Sequence, residues 1–173
     1  MMCKQIFETE RLFVRELCEE DWTDLCEILQ DVETMYAYAH AFSEEEVRAW
    51  LAKQFYRYEQ DGVGLWAVIH KETGEFVGQA GLTWQDTDKG REMEIGYLLK
   101  RKHWHYGYAA EAAVGCRDYA FYKLGKKRIV SIIRDDNYAS QRVAERVGMV
   151  KGHVFTKHYY GIDMPHFVYA IER

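Results

Sequence analysis

Residues 128–134, RIVSIIR, narrow the fold more than any other stretch. They read as a short, almost fully apolar strand, and strands of that kind are buried on both faces. The segment before them, from Gly107 to Leu124, has helical periodicity. Ala109, Ala113, Cys116, Ala120 and Leu124 share one stripe, Gly125 suits the C-terminal stop, and Lys123, Lys126 and Lys127 suit the negative helix end. A further strand pattern, REMEIGYLLK (91–100), precedes that helix. A strand–helix–strand unit from 92 to 134 implies a parallel pair in one sheet.

The remainder reads as antiparallel strands and amphipathic helices. RLFVREL (11–17) alternates Leu12 and Val14 with Arg11 and Arg15, as a half-buried strand does. EEDWTDLCEILQD follows, with Trp22, Leu25, Ile28 and Leu29 at helical spacing. FSEEEVRAWLAKQFYRYEQDG opens with a capping box, Ser43 and Glu46, and ends at Gly62. In GLWAVIHKETGEFVGQAGLTWQD, two apolar runs flank a glycine-containing turn and predict a hairpin. ASQRVAERVG predicts a helix ended by Gly148, and two last strands near 149–157 and 165–171 flank YYGIDMP. Gly78, Gly81 and Gly96 fall inside strands, where glycine marks a bulge or a close approach. The order β-α-α-β-β-β-α-β-α-β-β predicts an α+β fold. It has one mixed, mostly antiparallel sheet with one parallel pair and helices on both faces, in a single domain over residues 1–173.

Composition excludes several classes. With 48% hydrophobic residues the chain can bury a core. It has no apolar run of ~18 residues to span a membrane and no signal-peptide h-region in MMCKQIFETE, so a cytoplasmic protein is expected. A net charge of −5 argues against nucleic acid as a partner and is compatible with cationic substrates. Cys3, Cys18, Cys26 and Cys116 contain no C-x-x-C pair and are expected to be reduced thiols. His103 and His105 lie two apart, but no third ligand has suitable spacing, so no metal site is expected.

RKHWHYGYAAEAA (101–113) is the stretch that suggests chemistry. A helix N-terminus presents unpaired N–H groups and a partial positive charge. Gly107 lets the backbone approach a ligand, and Ala109 and Ala110 keep side chains away. Lys100, Arg101, Lys102 and His103 add charge upstream. Alone, the stretch is equally a tight strand-to-helix turn behind a solvated basic run. No Walker lysine and no G-x-G-x-x-G accompany it.

In context, the segment resembles the phosphate loop of the GNAT N-acetyltransferase superfamily, [Q/R]-x-x-G-x-[G/A]. WHYGYA (104–109) matches at Gly107 and Ala109, with Trp104 in place of glutamine or arginine and His105 in place of a common glycine. ETERLFVREL, GEFVGQAGL, EIGYLL and DDNYASQRVAERVGM resemble, in the right order, motifs of the branch that includes the RimJ/RimL-like ribosomal-protein N-terminal acetyltransferases. The resemblance implies acetyl-coenzyme A as donor, with pantetheine lying between two splayed strands at a bulge near Gly96. It implies that backbone groups of Leu98 and Leu99 meet the pantetheine amides. N–H groups of His105, Tyr106, Gly107, Tyr108, Ala109 and Ala110 would hold the pyrophosphate. Asn137 would bond pantetheine from the other side, unless it is only a turn or cap residue.

The implied reaction is direct acetyl transfer to a primary amine, on a protein N-terminus or a small molecule. Glu94 is the candidate base and Glu92, on the same strand face, the runner-up. The tyrosine that many members place on the following helix falls at Ala144 and is absent. Ser140, where the branch has serine, is the candidate donor to the leaving thiolate, with Tyr138, Tyr159 and Tyr160 as alternatives. The acceptor is expected between the first two helices and the last hairpin, where residues 33–42 and 156–166 supply aromatics and histidines. The second reading is a non-catalytic acyl-CoA-binding or sensing domain. The acceptor's identity and the oligomeric state, a homodimer included, stay open.

Overall fold

The computed structural model describes residues 3–159 and 161–173, with only the backbone of Tyr159. In chain order the elements are β1 (Gln5–Glu8), β2 (Leu12–Arg15), α1 (Trp22–Leu29), α2 (Glu44–Asp61), β3 (Leu65–His70), β4 (Phe76–Thr87), β5 (Gly90–Leu99), α3 (Tyr108–Asp118), β6 (Arg128–Arg134), α4 (Tyr138–Val147), β7 (Val150–Tyr159) and β8 (Ile162–Glu172). The strands form an eight-stranded sheet in the order β1-β2-β3-β4-β5-β6-β8-β7. The β5–β6 pair is parallel and the other pairs are antiparallel. This is the mixed sheet expected, with one strand more than the sequence pattern predicts. β1 is only four residues long and carries no apolar alternation to announce it.

Helices cover both faces. On one, Ala112, Ala113 and Cys116 of α3 and Ala144 and Val147 of α4 pack on Val14, Trp66, Ala80, Ile95 and Ile129. On the other, Leu25, Ile28 and Leu29 of α1 and Val47 and Leu51 of α2 pack on Ala67 and Phe76. Ile129 and Ile133 of the apolar stretch 128–134 belong to the first of these clusters. α2 opens with the expected capping box: Glu46 N–H donates to Ser43 Oγ at 3.2 Å, and Ser43 N–H donates to Glu46 Oε2 at 2.8 Å. α3 ends at Asp118 and runs on as one wider π-type turn, Tyr119–Lys123, before Gly125 at φ +65°.

Two expectations need correction. Cys3 and Cys18 are joined as a disulfide, with Cα atoms 6.3 Å apart. The unanticipated β1 brings them together, because its antiparallel register with β2 sets Gln5 opposite Arg15. Cys26 and Cys116 remain free thiols. Nor is there a bulge at Gly96 in the β4–β5 ladder, whose register is continuous from Thr87↔Gly90 to Gly78↔Leu99. Gly81 does mark a close approach: a Cβ there would sit 2.0 Å from the carbonyl oxygen of Gly64, the residue just before β3. Gly81→Ala is expected to lower stability by about 1–3 kcal/mol, the range for overpacking a rigid site. A reduced urea midpoint with an unchanged slope would register it.

Candidate active site

The site begins where β5 and β6 stop pairing. Their contact has one registered pair, Glu94↔Val130, and the strands part beyond it. Two side chains occupy the apex. Glu94 Oε2 accepts the Ile132 N–H at 2.8 Å, and Ser131 Oγ donates to the Ile95 carbonyl at 2.9 Å. Side-chain bonds thus satisfy backbone groups that a continuous ladder would have paired.

The β4–β5 ladder decides which backbone groups face the opening. Lys100 N–H bonds the Val77 carbonyl at 3.0 Å. Along an antiparallel strand the hydrogen-bonding direction alternates, so Leu98, Gly96 and Glu94 also bond back into β4. Ile95, Tyr97 and Leu99 point toward β6, and beyond Ile95 there is no β6 partner to meet. The backbone of Leu98 is therefore committed to the ladder opposite Gln79, and its side chain packs toward α1 and α2. The free edge belongs to Tyr97 and Leu99. Trp104 Nε1–H takes the Leu99 carbonyl at 3.1 Å, which leaves the Leu99 N–H.

The turn into α3 is fixed from a distance. Gly107 caps the helix at φ +80° and His105 lies at φ +68°. For a residue with a Cβ that left-handed conformation costs on the order of 1 kcal/mol, so His105 holds a glycine-like geometry under mild strain. The first intrahelical bond is Glu111 N–H to the Gly107 carbonyl at 3.1 Å. The N–H groups of Tyr108, Ala109 and Ala110 thus have no partner within the helix and open on the cleft. Arg11 braces this turn. Its guanidinium bonds the Tyr106 carbonyl at 2.9 Å and the Glu111 carboxylate at 2.7 Å, and lies 4.5 Å from the Tyr108 ring centroid. Thr9 Oγ1 and Arg11 N–H donate to the same carboxylate at 2.7 and 2.8 Å. Burial opposes the Glu111 charge, but these hydrogen bonds outweigh it and hold its carboxyl below the usual carboxylate range. His103, buried beneath the turn, has Nε2 4.0 Å from Glu75.

Across the opening, Asn137 caps α4 by accepting the Ser140 N–H at 3.2 Å, and its amide nitrogen has no partner among the described residues. The Ser140 side chain lines the cleft beside the Tyr97 phenol. Tyr97 Oη donates to the Ser140 carbonyl at 3.0 Å, and burial pushes its pKa up, so the phenol stays protonated. Sequence reasoning missed Tyr97, Ser131 and the Arg11–Glu111 tie. A polar Ser131 inside RIVSIIR was the one visible signal for the apex.

Glu94 lines the cleft. Burial raises its pKa, against the opposing pull of Lys157, the Ile132 N–H and Arg57. Glu92 is instead tied to Arg128 at 2.8 Å and to Thr87 at 3.2 Å. Tyr138 is 66% exposed, too solvated to act as a buried donor. Tyr160, and the side chain of Tyr159, lie outside the described residues. The cleft continues past Glu94 to Tyr36 and Tyr38, Lys157 and His166, and encloses about 820 Å³.

The sequence and the fold that carries this cleft match known proteins. A family model for an acetyltransferase (GNAT) domain covers residues 11–150. The chain belongs to the GNAT acetyltransferase family. The uncharacterized protein YkkB of Bacillus subtilis (strain 168) is 36% identical over 150 residues, 86% of this chain and 87% of that one. The uncharacterized N-acetyltransferase p20 of Bacillus licheniformis is 32% identical over 145 residues, 83% and 81% of the two chains. A GNAT-family acetyltransferase from Bacillus anthracis superposes with a TM-score of 0.83 at 26% identity, over 97% of this chain and 98% of that one. The ribosomal L7/L12 N-acetyltransferase RimL, solved with coenzyme A, shares the fold at a TM-score of 0.80 and 18% identity, over 98% of each chain. The enzyme class of this GNAT member is therefore N-acetyltransferase.

The family uses acetyl-coenzyme A, and the residues here fit it. The free N–H groups at α3 suit a pyrophosphate, and the open edge at Tyr97 and Leu99 suits an amide chain laid alongside like a strand. No helix among the described residues is long and apolar enough to cross a membrane. Because the folded Glu111 carboxyl is depressed, its contribution is present above its unfolded pKa of ~4.3 and fades as pH falls through the folded value. Glu111→Gln is expected to cost about 1–2 kcal/mol at pH 7, the lower part of the charged hydrogen-bond range because solvent reaches Arg11. Paired denaturant titrations should show the difference shrinking toward pH 3.

Proposed function

We propose that the protein transfers an acetyl group from acetyl-coenzyme A directly to a primary amine, with Glu94 taking the proton that the amine must lose. The observation that carries this reading is the half-buried Glu94 carboxylate at the splay apex, raised in pKa and open to the cleft. The N–H groups from His105 to Ala110 hold the pyrophosphate. Tyr97 and Leu99 offer backbone groups to pantetheine from one side, and the Asn137 amide from the other. When bound, the coenzyme supplies an activated thioester carbonyl.

Only a neutral amine attacks a carbonyl. An α-amine of pKa ~8 is roughly a tenth neutral at pH 7, and a lysine amine of pKa ~10.4 is almost wholly charged. A carboxylate with a raised pKa is a better-matched base than an ordinary surface glutamate, because its proton affinity lies nearer the working pH. Glu94 stays oriented by the Ile132 N–H. At the other side of the reacting carbon, the Ser140 hydroxyl donates a hydrogen bond to the leaving sulfur. Tyr97, anchored on the Ser140 carbonyl, fixes that part of α4.

Glu94→Gln is expected to lower kcat by about 10²–10⁴, the usual contribution of a general base. In the parent enzyme the acid limb of kcat/KM should lie above the ordinary carboxylate range. Activity should rise as pH rises through that limb, which should not move when the acceptor's own pKa is varied. The substituted enzyme should lack the limb. Ser140→Ala should slow thiol release while leaving the thermal shift caused by acetyl-coenzyme A in place, and unchanged turnover would remove Ser140 from the mechanism. Stabilisation by acetyl-coenzyme A with no thiol release across a wide amine panel would favour a non-catalytic acyl-CoA-binding domain instead.

A further inference from the structure

Two arginines at the α3 end of the cleft have nothing to hold. Arg142 and Arg146 lie on α4, are exposed, and line the same cleft as Ala109 and Ala110 of the α3 turn. Among the described residues, neither has a hydrogen bond, an ion pair or a ring contact. Every other arginine of the chain bonds a carboxylate, a glutamine side chain or a backbone carbonyl. Carboxylates nearby are otherwise engaged or turned away. Asp136 is tied to Arg134 at 3.1 Å. Glu111 lines a second cleft together with Arg146 and Ala110, but its oxygens accept from Thr9 and Arg11. Glu145, between the two arginines in sequence, is not part of the cleft wall.

Residues four apart on a helix are surface neighbours, about 5–6 Å between Cβ atoms, and like charges so placed repel each other. The negative end of α4 favours Arg146, in its last turn. Arg142, one turn earlier, has no such compensation. The pair therefore repels itself in the free protein, and a bound anion relieves that repulsion.

Coenzyme A carries two kinds of phosphate. Its pyrophosphate suits the N–H groups of the α3 turn. Its 3′-phosphate is a monoester, with a charge of about −1.5 to −2 near neutral pH. Planar guanidinium groups suit such a group, because each can offer two parallel N–H donors together with a fixed charge. Both phosphates hang from one ribose, so a pyrophosphate at the α3 turn brings the 3′-phosphate to the same end of the cleft.

Resting on the donor site proposed above, we infer that Arg142 and Arg146 receive the 3′-phosphate and make the protein select coenzyme A over its 3′-dephospho form. No bond forms or breaks at this phosphate; the arginines bind and orient.

Isothermal titration at low ionic strength compares coenzyme A with 3′-dephospho-coenzyme A. The parent protein is expected to bind coenzyme A about tenfold or more tightly, the discrimination that one charge-assisted contact supplies. That ratio should shrink as salt is added, because exposed charges are screened. Arg142→Gln combined with Arg146→Gln should bring the ratio toward one by weakening coenzyme A and leaving the dephospho form unchanged. Lysine at both positions should keep part of the ratio, since the charge stays and the fork is lost. The melting temperature of the glutamine variant without ligand should not fall, because the two side chains hold nothing in the fold. A parent protein that binds both forms equally overturns the inference and leaves acetyl transfer standing. So does a glutamine variant that weakens both ligands alike, as it would if the arginines held the pyrophosphate or the fold. Binding of neither form, by titration or by thermal shift, overturns the donor site and the inference together.

Discussion

The hydrogen bond from Ile132 N–H to Glu94 Oε2 stands where a sheet ladder should continue and does not. A parallel pair that kept its register would fill the space between β5 and β6 with backbone bonds, and no cleft would exist. Here the ladder ends after Glu94↔Val130, and the Glu94 and Ser131 side chains close its last rung. Everything past that rung follows from the parting. The odd-numbered residues of β5 are left with backbone groups facing open space, and solvent or a ligand must satisfy them. The same parting gives the carboxylate access to that space while leaving it partly desolvated. The opening and the poised acid are one structural event.

The second constraint is the hold on the α3 N-terminus. After Tyr108 its first residues, Ala109 and Ala110, are small and offer little side-chain anchorage. The fixing comes from Arg11, at the start of the sheet, reaching the Tyr106 carbonyl and the Glu111 carboxylate at 2.9 and 2.7 Å. Trp104 ties the same turn to the end of β5 through the Leu99 carbonyl. A large, half-buried indole and a strained His105 stand where the family pattern has a long polar residue and a glycine. On the proposed reading neither would block the cradle, because the groups proposed to face the anion are backbone N–H groups that follow them in the chain.

Much of this was legible in the sequence where one element carries its own signal. The order of elements, the parallel pair, the Ser43–Glu46 cap and the Gly107 turn all rest on local periodicity or local stereochemistry. What was illegible needs two distant segments at once. β1 has no pattern of its own, and without it nothing brings Cys3 near Cys18. The tie between Arg11 and Glu111 spans residues a hundred apart in sequence. The choice of Tyr97 over Leu98 as the free edge depends on ladder parity, and that is set by the Thr87–Gly90 turn rather than by the identity of either residue. Ser131 alone left a visible mark, as a polar residue in an apolar run.

The electrostatics of the acceptor end follow from the same parting of strands. Glu94 sits on the face of β5 that looks toward α1 and α2, the face shared by Leu98, while Ile95 and Tyr97 look toward α3 and α4. On the proposed reading, a base on one face and a free backbone edge in the plane of the sheet would divide the cleft between two ligands, the donor along the edge toward α3 and the acceptor on the side of the Tyr36–Tyr38 turn and β7. The charges of Lys157 and Arg57 act on Glu94, whereas the turn into α3 is held by Arg11 and Glu111.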